Sequence, residues 1–272
     1  SLNKIKKIKK ILVERNHLDE LKFHKNIKDF IKKKIILFLI KIYYSKSDVI
    51  VGISKKLSLD LENYINSKVI TIYNPSFEDR IIMNNKIDKV KINSSKKIIL
   101  NVGFFEKQKD QMTILKSINI LKKYYENFLL ILVGRGTEYK NLKNYIKKNN
   151  LSKFTKVYQN IKNPTFFYRK ADLFILSSIY EGLGNVLVEA IKNKCPVITT
   201  NCNSGPMEII CNGKYGDFFL PGDYAGLAKK ILDHFKNPRR LNKKLRLSSK
   251  HMKKFSLKEN IQNFNNLFDK IK

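Results

Sequence analysis

The sequence predicts an α/β protein built on parallel sheets, because two patterns alternate along the chain. Short, uninterrupted apolar runs such as Phe128–Val133 predict strands that are buried on both faces. Amphipathic stretches such as Glu138–Lys148 follow these runs and are typical of helices that cover a sheet. Hydrophobic residues make up 43% of the 272 residues, which is enough for a core and excludes a wholly disordered chain.

The first group of elements ends at Asn74-Pro75, a sequence that stops a strand. Ser54 is placed to cap the second helix of this group. Strands are predicted at Ile11–Val13, Asp48–Val51 and Lys68–Ile72, and helices at Ile27–Tyr44 and Lys55–Ile65. The polar, irregular stretch 76–95 that follows is the best candidate for a linker.

The second group begins at Lys97 and continues the alternation to the end of the chain. Strands are predicted at Ile98–Val102, Phe128–Val133, Lys156–Tyr158, Asp172–Leu176 and Pro196–Thr199. Helices are predicted at Asp110–Tyr124, Glu138–Lys148, Pro164–Lys170, Asn185–Lys192, Gly205–Ile210, Tyr224–Phe235 and Leu257–Ile271. Because ligands bind at the carboxyl ends of parallel strands, the loops directly after each strand are the ones to search for a site.

The chain is strongly basic, with 55 Lys and Arg against 23 Asp and Glu, a formal net charge of +32. Such a charge attracts nucleic acid, anionic membranes or phosphorylated small molecules. Biased composition is an equal alternative, because lysine is abundant in every part of the chain. No stacking motif accompanies the charge, so no specific nucleic-acid partner is expected.

The cysteine pattern favours a reducing compartment and a cytoplasmic location. Cys195, Cys202 and Cys211 are odd in number and form no C-x-x-C pair, which indicates neither a disulfide framework nor a zinc site. The basic residues 1–10 are not followed by an apolar stretch and a cleavage site, so no signal peptide is expected. The apolar run Ile35–Ile40 is far shorter than the ~20 residues that span a bilayer.

The loop after the strand Asp172–Leu176 carries the clearest chemistry. Gly182 and Gly184 allow a ligand to approach the backbone, and the helix that begins at Asn185 offers free N–H groups to a phosphate. Glu181 and Glu189 lie on either side and can accept hydrogen bonds from sugar hydroxyls. This arrangement suits a sugar nucleotide, but spacing alone equally allows a glycine turn with two surface glutamates.

Other loops are expected at the same sheet edge. Gly103 and Gly134 each end a strand there, and Lys109 follows close enough to neutralise a diphosphate. The amino end of a second helix follows Pro196–Thr199, and Ser204 is a candidate N-cap there. Ordinary helix capping, which needs no ligand, explains the residues at this helix end equally well.

Together these motifs resemble family four of the retaining glycosyltransferases, which have the GT-B fold. Residues 181–190 (EGLGNVLVEA) are similar to the E-x7-E motif of that family, its most specific feature. Residues 204–209 and 102–110 agree with it in order and spacing. Residues 47–54 and 72–75 are similar to the end of its N-terminal domain and the crossing into its C-terminal domain.

The resemblance implies a nucleotide-sugar donor, UDP-linked in the favoured case, and transfer with retention to a glycan or lipid-linked acceptor in polysaccharide or glycoconjugate synthesis. Glu181 would hold the donor sugar, Lys109 the diphosphate and Glu189 the ribose; Glu181 and Lys109 are the expected catalytic residues. Neither a metal nor another cofactor is expected. The full set of implied donor-binding residues is Gly103, Lys109, Arg135, Asn160, Ile161, Glu181, Gly182, Leu183, Gly184, Asn185 and Glu189.

Two departures qualify the resemblance. Phe104 stands where the family usually has an arginine that contacts the diphosphate, and Arg135 stands where an acidic residue is common, so Arg135 is expected to compensate. The loop that would carry the family's catalytic histidine is missing. His17 follows Glu14-Arg15-Asn16, a segment similar to a late, cleft-facing loop of that domain, and is not expected to be the base. The remaining histidines, His24, His234 and His251, are expected to be solvated.

The resemblance also divides the chain. Residues 1–75 would be the remnant of an incomplete N-terminal, acceptor-side Rossmann-like domain, and 96–250 the C-terminal nucleotide-sugar-binding domain. Residues 251–272 would form a helix that returns toward the first domain. Two explanations of the short first domain stay open, a piece of a longer protein and a naturally shortened one.

Alternatives of other classes remain. A non-catalytic nucleotide-sugar-binding or assembly module is favoured by Phe104 and by the short first domain. A nucleic-acid binder is suggested by charge alone, and a GT-B epimerase fits the motifs less well than a transferase. The helix Ile27–Tyr44, with apolar residues at 27, 31, 35, 38 and 42 among lysines, is expected to pack on the first sheet, or to lie on the inner face of an anionic membrane, or both.

Overall fold

Two parallel β-sheets organise the protein, as its sequence predicts. The computed structural model describes residues 9–24, 26–78, 92, 95–202 and 204–271. The smaller sheet has the order β1-β2-β3 and is parallel throughout. Its elements are β1 (Ile11–Glu14), α1 (Ile27–Tyr44), β2 (Val49–Gly52), α2 (Lys55–Ile65) and β3 (Val69–Thr71).

The larger sheet begins after the predicted linker 76–95, most of which lies outside the described residues. Its strands are β4 (Lys97–Val102), β5 (Phe128–Val133), β6 (Thr155–Tyr158), β7 (Leu173–Leu176), β8 (Val197–Thr200) and β9 (Asp217–Phe219). Its helices are α3 (Gln111–Leu121), α4 (Tyr139–Lys148), α5 (Thr165–Lys170), α6 (Asn185–Lys192), α7 (Gly205–Ile209), α8 (Tyr224–Lys236), α9 (Arg239–Leu247) and α10 (Ser249–Met252), followed by α11 (Leu257–Ile271).

The strand order of the larger sheet explains where a ligand can bind. The order is β6-β5-β4-β7-β8-β9, and every pair is parallel. The chain therefore adds strands on one side of β4 and then returns to add β7 and the later strands on the other side. The chain leaves β4 toward β5 and leaves β7 toward β8, and a reversal of this kind forms a crevice at the carboxyl ends of the strands.

Alternating side chains give the smaller sheet two covered faces. Ile50 packs with Ile40 of α1 and Leu61 of α2, whereas its neighbour Val51 points to the other face. There Val51 packs with Leu267 of α11, so the last helix lies against the first sheet. Both ends of the chain thus contribute to one core.

The face that α1 buries differs from the one its sequence suggests. The predicted apolar residues at 27, 31, 35 and 38 are exposed, while Ile36 and Ile40 pack toward the sheet. Because the helix is apolar on both sides, the periodicity of its sequence does not show which side is buried. The helix packs on the first sheet, as expected, but through Ile36 and Ile40 rather than through the residues at 27, 31, 35 and 38.

Other differences concern short elements and histidines. The three-residue strand β9 and the lysine- and arginine-rich helix α9 were not predicted, because one is too short and the other too polar for a periodic signal. His234 is buried rather than solvated, and His251 is half-buried. His24 is exposed, as expected.

Candidate functional site

A cleft of about 950 Å³ opens at the strand-order reversal, between the two sheets. The first sheet contributes Arg15, Asn16, Ile53 and Asn74 to its walls. Most of the residues that the resemblance implicates line the larger sheet's side of the same cleft. These are Gly103, Lys109, Arg135, Asn160, Ile161, Glu181, Gly182, Leu183, Gly184 and Asn185.

Glu181 and Lys109, which are 72 positions apart in the sequence, form an ion pair in this cleft. Lys109 Nζ lies 2.6 Å from Glu181 Oε1, and the Ser178 hydroxyl donates to the same oxygen at 2.6 Å. The Glu181 carboxylate is buried, so these two donors hold it in one orientation. A cation and an anion are thus fixed side by side at the wall of the cleft.

Hydrogen bonds tie the loop after β4 to the loop after β7. The amide of Ile179 donates to Gln108 O at 2.8 Å, and the Gln108 side chain donates to Tyr180 O at 2.8 Å. The Ser177 hydroxyl donates to Lys109 O at 2.7 Å. Because both loops are bound to each other, the Lys109–Glu181 pair has a rigid frame.

Two glycines are required by close approach of the backbone. A Cβ on Gly182 would overlap the carbonyl oxygen of Arg15, which belongs to the first sheet's loop. A Cβ on Gly134 would overlap the carbonyl oxygen of Gly103, where β4 and β5 end together. Glycine at these positions therefore lets the walls of the cleft come together.

The amino end of α6 faces the cleft. Gly184, the N-cap residue, precedes the helix with a φ of 91° and has no side chain to cap the first N–H groups. Asn185, the first helical residue, accepts a hydrogen bond from the Ser76 hydroxyl at 3.0 Å through its side chain. The positive end of the helix dipole is therefore directed at the cleft, where it would stabilise an anion.

Ser204 has a different role from the predicted cap of α7. It precedes α7 as expected, but its side chain caps no amide of that helix. Its hydroxyl donates instead to the carbonyl oxygen of Glu181. Ser204 thus supports the loop that carries Glu181.

Glu189 is the one implicated residue that does not line the cleft. Its carboxylate accepts a hydrogen bond from the Tyr168 hydroxyl at 3.0 Å. Burial raises the pKa of Glu189, and the same burial raises the pKa of Tyr168 well above its usual range. In this structure, therefore, Glu189 makes its contact one helical turn beyond the cleft.

The structure adds cationic groups that sequence reasoning missed. Arg15 and Lys162 line the cleft together with Arg135. The Arg15 guanidinium donates to the Asn74 side chain at 3.2 Å, which ties the first sheet's loop to the crossing segment. Arg15 belongs to the segment Glu14-Arg15-Asn16, which resembles a cleft-facing loop, but the resemblance assigns its side chain no role. Phe104 also lines the cleft and is 59% exposed.

His17 does not reach the cleft, although its neighbours Arg15 and Asn16 do. The His17 side chain is buried and lies 3.0 Å from Asp60 Oδ2. It also accepts a hydrogen bond from the amide of Asp19, which caps a short 3-10 helix, Leu18–Lys22. The loop that the resemblance places at the cleft thus reaches it through Arg15 and Asn16, while the His17 side chain packs away from it.

The described part of the chain shows neither a metal-binding cluster nor a membrane-spanning helix. No cluster of three or more His, Cys, Asp or Glu side chains in that part of the chain could hold a metal ion. None of the helices found there is long and apolar enough to cross a membrane. Cys195, Cys202 and Cys211 are all free thiols.

Comparison with known protein families identifies the family of this chain. The profile of the family described as "Glycosyl transferases group 1" matches residues 83–253, more than half of the chain. The chain belongs to the group 1 glycosyl transferases. The match covers the loops after β4, β5 and β7, together with α6 and α7.

Relatives of this group 1 glycosyl transferase come from several organisms. An uncharacterised glycosyltransferase of Methanocaldococcus jannaschii is 31% identical over 221 residues, 77% of this chain and 53% of the relative. The capsular polysaccharide biosynthesis glycosyltransferase CapH of Staphylococcus aureus is 28% identical over 211 residues, 76% and 57% of the two chains. A Campylobacter jejuni N-acetylgalactosaminyltransferase named for a diphospho-undecaprenol-linked sugar is 28% identical over 181 residues. The match covers 66% of this chain and 48% of the relative. The chain spans about half the length of these curated relatives.

Solved structures confirm the GT-B fold. HepE of Anabaena, crystallised with UDP and glucose, superposes with a TM-score of 0.77 at 16% identity, over 95% of this chain and 71% of that one. Sucrose-phosphate synthase of Thermosynechococcus elongatus superposes with a TM-score of 0.77 at 18% identity, over 96% of this chain and 67% of that one. Both likenesses include the smaller sheet as well as the larger one, because they cover nearly the whole chain.

Proposed function

We propose that this chain forms the donor-binding part of a retaining glycosyltransferase, which moves a sugar from a nucleotide-sugar donor to a glycan or lipid-linked acceptor. The observation that carries the proposal is the meeting of Lys109, Glu181 and the amino end of α6 in one cleft. UDP is the proposed nucleotide, and cell-surface polysaccharide or glycoconjugate synthesis the proposed process. The proposed location is cytoplasmic.

The diphosphate is proposed to lie between Lys109 and the first turn of α6. The helix end offers N–H groups in fixed positions, and Lys109 adds a full positive charge. As the sugar leaves, negative charge grows on the nucleoside diphosphate, and preorganised positive groups lower the energy of that state. Charge compensation by protein groups agrees with the expectation that no metal is needed.

Glu181 is proposed to accept hydrogen bonds from hydroxyls of the donor sugar. Its Oε1 already accepts from Lys109 and Ser178, whereas no described side chain bonds its other oxygen. That second oxygen therefore has acceptor capacity for a ligand. The same carboxylate also holds Lys109 at the position where the diphosphate would arrive.

The relatives support the substrate classes of this proposal. The HepE structure contains UDP and glucose, which supports a UDP-linked donor. The Campylobacter jejuni enzyme is named for transfer onto a diphospho-undecaprenol-linked sugar, and CapH for capsular polysaccharide biosynthesis. A lipid-linked or glycan acceptor is thus the class we propose here.

Calorimetry with UDP tests the binding half of the proposal. We expect Lys109→Ala to weaken UDP affinity about tenfold or more, since it removes a charge-assisted contact with phosphate. Lys107→Ala is the matched control, because Lys107 is exposed on the same loop and does not line the cleft. Equal affinity of all three proteins for UDP, or no binding of any nucleoside diphosphate by the unaltered chain, would contradict the proposal.

A transfer assay with UDP-sugars tests the role of Glu181. We expect Glu181→Ala to abolish transfer while the circular dichroism spectrum stays that of the folded chain. The physical reason is loss of both the sugar contact and the partner that holds Lys109. Retained turnover in this variant would refute the assignment of Glu181.

A second candidate, a non-catalytic nucleotide-sugar-binding or assembly module, is favoured by Phe104. This exposed ring stands in the cleft where the resemblance predicts a phosphate-binding arginine. The two candidates differ in one measurable respect. UDP binding without transfer to any glycan or lipid-linked acceptor supports the binding module, and UDP binding with transfer supports the enzyme.

A further inference from the structure

A second cavity, of about 620 Å³, lies at the carboxyl end of α6. Because α6 begins with Asn185 in the cleft and ends with Lys192 in this cavity, about 10 Å of helix separates the two. Residues of α9 and α10 form the opposite wall. The cationic residues Lys192, Lys194 and Arg246 line it, and none of the lining residues in the described part of the chain is acidic. We refer to it as the α6–α9 cavity.

The apolar part of the lining belongs to the core, which fixes the shape of the α6–α9 cavity. Ile191 and Met252 are buried members of one hydrophobic cluster, and Leu245 packs against that cluster. The buried Ser248 side chain donates to Leu245 O at 2.6 Å. These contacts hold α6, α9 and α10 together, so the polar lining residues are carried by rigid elements.

The cations of α9 divide between two faces of the helix. Arg240 and Lys244 bind the Asp217 carboxylate, with Arg240 Nη1 at 3.0 Å and Lys244 Nζ at 2.6 Å from Oδ1. These two cations therefore serve the fold. Asn242 and Arg246 are four residues apart on another face and line the cavity. No acidic side chain in the part of the chain that the structure describes pairs with Arg246, so this cation is available to a ligand.

Lys194 occupies a position at which glycine would fit better. Its φ is 62°, in the left-handed region, two residues after the end of α6. The amide of Lys194 donates to Ile191 O and that of Cys195 to Ala190 O, both at 3.0 Å, which is the pattern of a Schellman motif. Since backbone amides already satisfy the end of the helix, no lysine side chain is needed to cap it. Lysine therefore adds backbone strain here while it places a charge at the cavity.

We propose that the α6–α9 cavity is a second ligand site, for a small phosphorylated molecule whose phosphate lies between Lys194 and Arg246. A guanidinium binds phosphate through two parallel N–H groups, and a lysine beside it adds a point charge. Asn242 and Ser249 also line the cavity, and no described residue bonds their side chains. Both therefore offer further hydrogen bonds to the ligand.

The size and the lining of the cavity select this class of ligand. A volume of about 620 Å³ suits a molecule as large as a sugar phosphate or a nucleotide. The apolar side chains of Leu245 and Met252 would cover its organic part, which an inorganic ion lacks. An extended nucleic acid would instead need a longer track of cations. No described residue lines both this cavity and the cleft, so the inference is independent of the proposed donor site.

Amide chemical shifts of the isotope-labelled chain test where an anion binds. With UDP present at high concentration to occupy the cleft, we expect pyrophosphate to shift the amides of residues 192–194 and 242–249. These shifts should saturate at one pyrophosphate per chain. Shifts confined to the cleft, or shifts spread over the lysine-rich surface without saturation, would overturn the proposal.

The same titration, read from the amide of Ser249, tests the two cations. We expect Lys194→Gln with Arg246→Gln to raise the dissociation constant for pyrophosphate about tenfold or more, because two charge-assisted contacts are lost. Lys143→Gln with Lys147→Gln is the matched control, since it removes the same charge from exposed positions of α4 and should change the constant little. Equal losses in both pairs would show general attraction by a basic chain and overturn the proposal.

Lys194→Gly separates a ligand role from a structural one. We expect the urea midpoint to rise, since glycine adopts the left-handed conformation without strain, while pyrophosphate binding weakens about fivefold. Asn150→Gly is the control, because Asn150 has a φ of 53° in the same motif at the end of α4. This variant should bind pyrophosphate like the unaltered chain. A Lys194→Gly chain that is more stable and binds pyrophosphate equally well would overturn the proposal.

Two comparisons of ligands test the proposed class. Phenyl phosphate should bind the cavity at least about threefold more tightly than inorganic phosphate, because its ring covers apolar side chains. Equal affinity of the two would assign the cavity to an inorganic anion and overturn the proposal. Tighter binding of single-stranded DNA than of phenyl phosphate at the same amides would assign it to nucleic acid, which also overturns the proposal.

Lys109→Ala distinguishes this site from the donor site. We expect the variant to keep the dissociation constant for pyrophosphate at the Ser249 amide, because Lys109 does not line the α6–α9 cavity. Loss of the cavity shifts in Lys109→Ala would overturn the proposal. Saturable cavity shifts in a chain that binds no UDP would support the second site while contradicting the proposed function.

Discussion

At the scale of single residues, Phe104 and Arg135 define how this cleft departs from the resemblance. Phe104 exposes an apolar ring where a diphosphate would be expected to meet a guanidinium. Arg135, at the end of the neighbouring strand β5, lines the same cleft. The backbone amide of Phe105 donates to Arg135 O at 2.8 Å, which holds the two loops together. A cation is thus present, though on the neighbouring loop.

Arg135→Ala tests whether that cation serves the diphosphate. We expect the dissociation constant for UDP to rise about five- to tenfold, the usual effect of one charge-assisted hydrogen bond. Arg239→Ala is the control, because Arg239 is exposed at the start of α9 and does not line the cleft. An unchanged dissociation constant for Arg135→Ala would end the idea that Arg135 compensates for Phe104.

At the scale of elements, Glu208 joins α7 of the larger sheet to α2 of the smaller one. Its carboxylate accepts hydrogen bonds from the amides of Lys55 and Lys56 at 2.9 and 2.8 Å. The Tyr73 hydroxyl donates to it at 3.0 Å. These contacts supply acceptors to the amino end of α2 from a residue 152 positions or more away, so the cap is also a bridge between the sheets.

Glu208→Gln tests the strength of this bridge. We expect the free energy of unfolding to fall by about 1–2 kcal/mol, because an amide replaces a carboxylate that caps two N–H groups and faces a helix dipole. Glu126→Gln serves as the control, since the Glu126–Lys153 pair is on the surface, and should cost less than about 0.5 kcal/mol. Urea unfolding measures both. A loss for Glu208→Gln no larger than the control's would contradict a bridging role.

Elements were predictable where the sequence shows a clear apolar run or a clear helical period. Phe128–Val133, Asn185–Lys192 and Leu257–Ile271 have the predicted bounds, and Ser54 caps α2 as expected. The elements that were missed lack such a pattern. In β9 the pattern is too short to show a period, so only neighbouring strands define the element.

At the scale of the whole molecule, buried histidines connect stability to pH. His234 Nε2 lies 3.1 Å from Asp172 O, and within the described residues its Nδ1 has no hydrogen-bond partner. Burial lowers the pKa of His234 below 6.5; a contact with Asp172 opposes this effect, whereas Arg240 and Lys97 add to it. Burial likewise lowers the pKa of His251. The fold therefore disfavours the protonated form of both side chains.

This arrangement predicts loss of stability in weak acid. As pH falls through 6.5, histidines of the unfolded chain take up protons before those of the folded chain, which favours unfolding. We expect the urea midpoint to be highest above about pH 7 and to fall toward about pH 5. In His234→Gln the fall should be smaller, whereas His24→Gln, at an exposed position, should keep it. Identical pH dependence in the two variants would contradict this account.

The amino-acid sequence by itself determined the α/β class, most element positions and the loops that hold Glu181 and Lys109, because these depend on local periodicity and on glycine and proline. Tertiary structure alone decided four features. It turned the apolar residues 27, 31, 35 and 38 of α1 away from the sheet, buried His17, and brought Arg15 into the cleft and Glu208 onto α2. Each depends on contacts between segments distant in the chain, and no local pattern encodes which distant surface a side chain will meet.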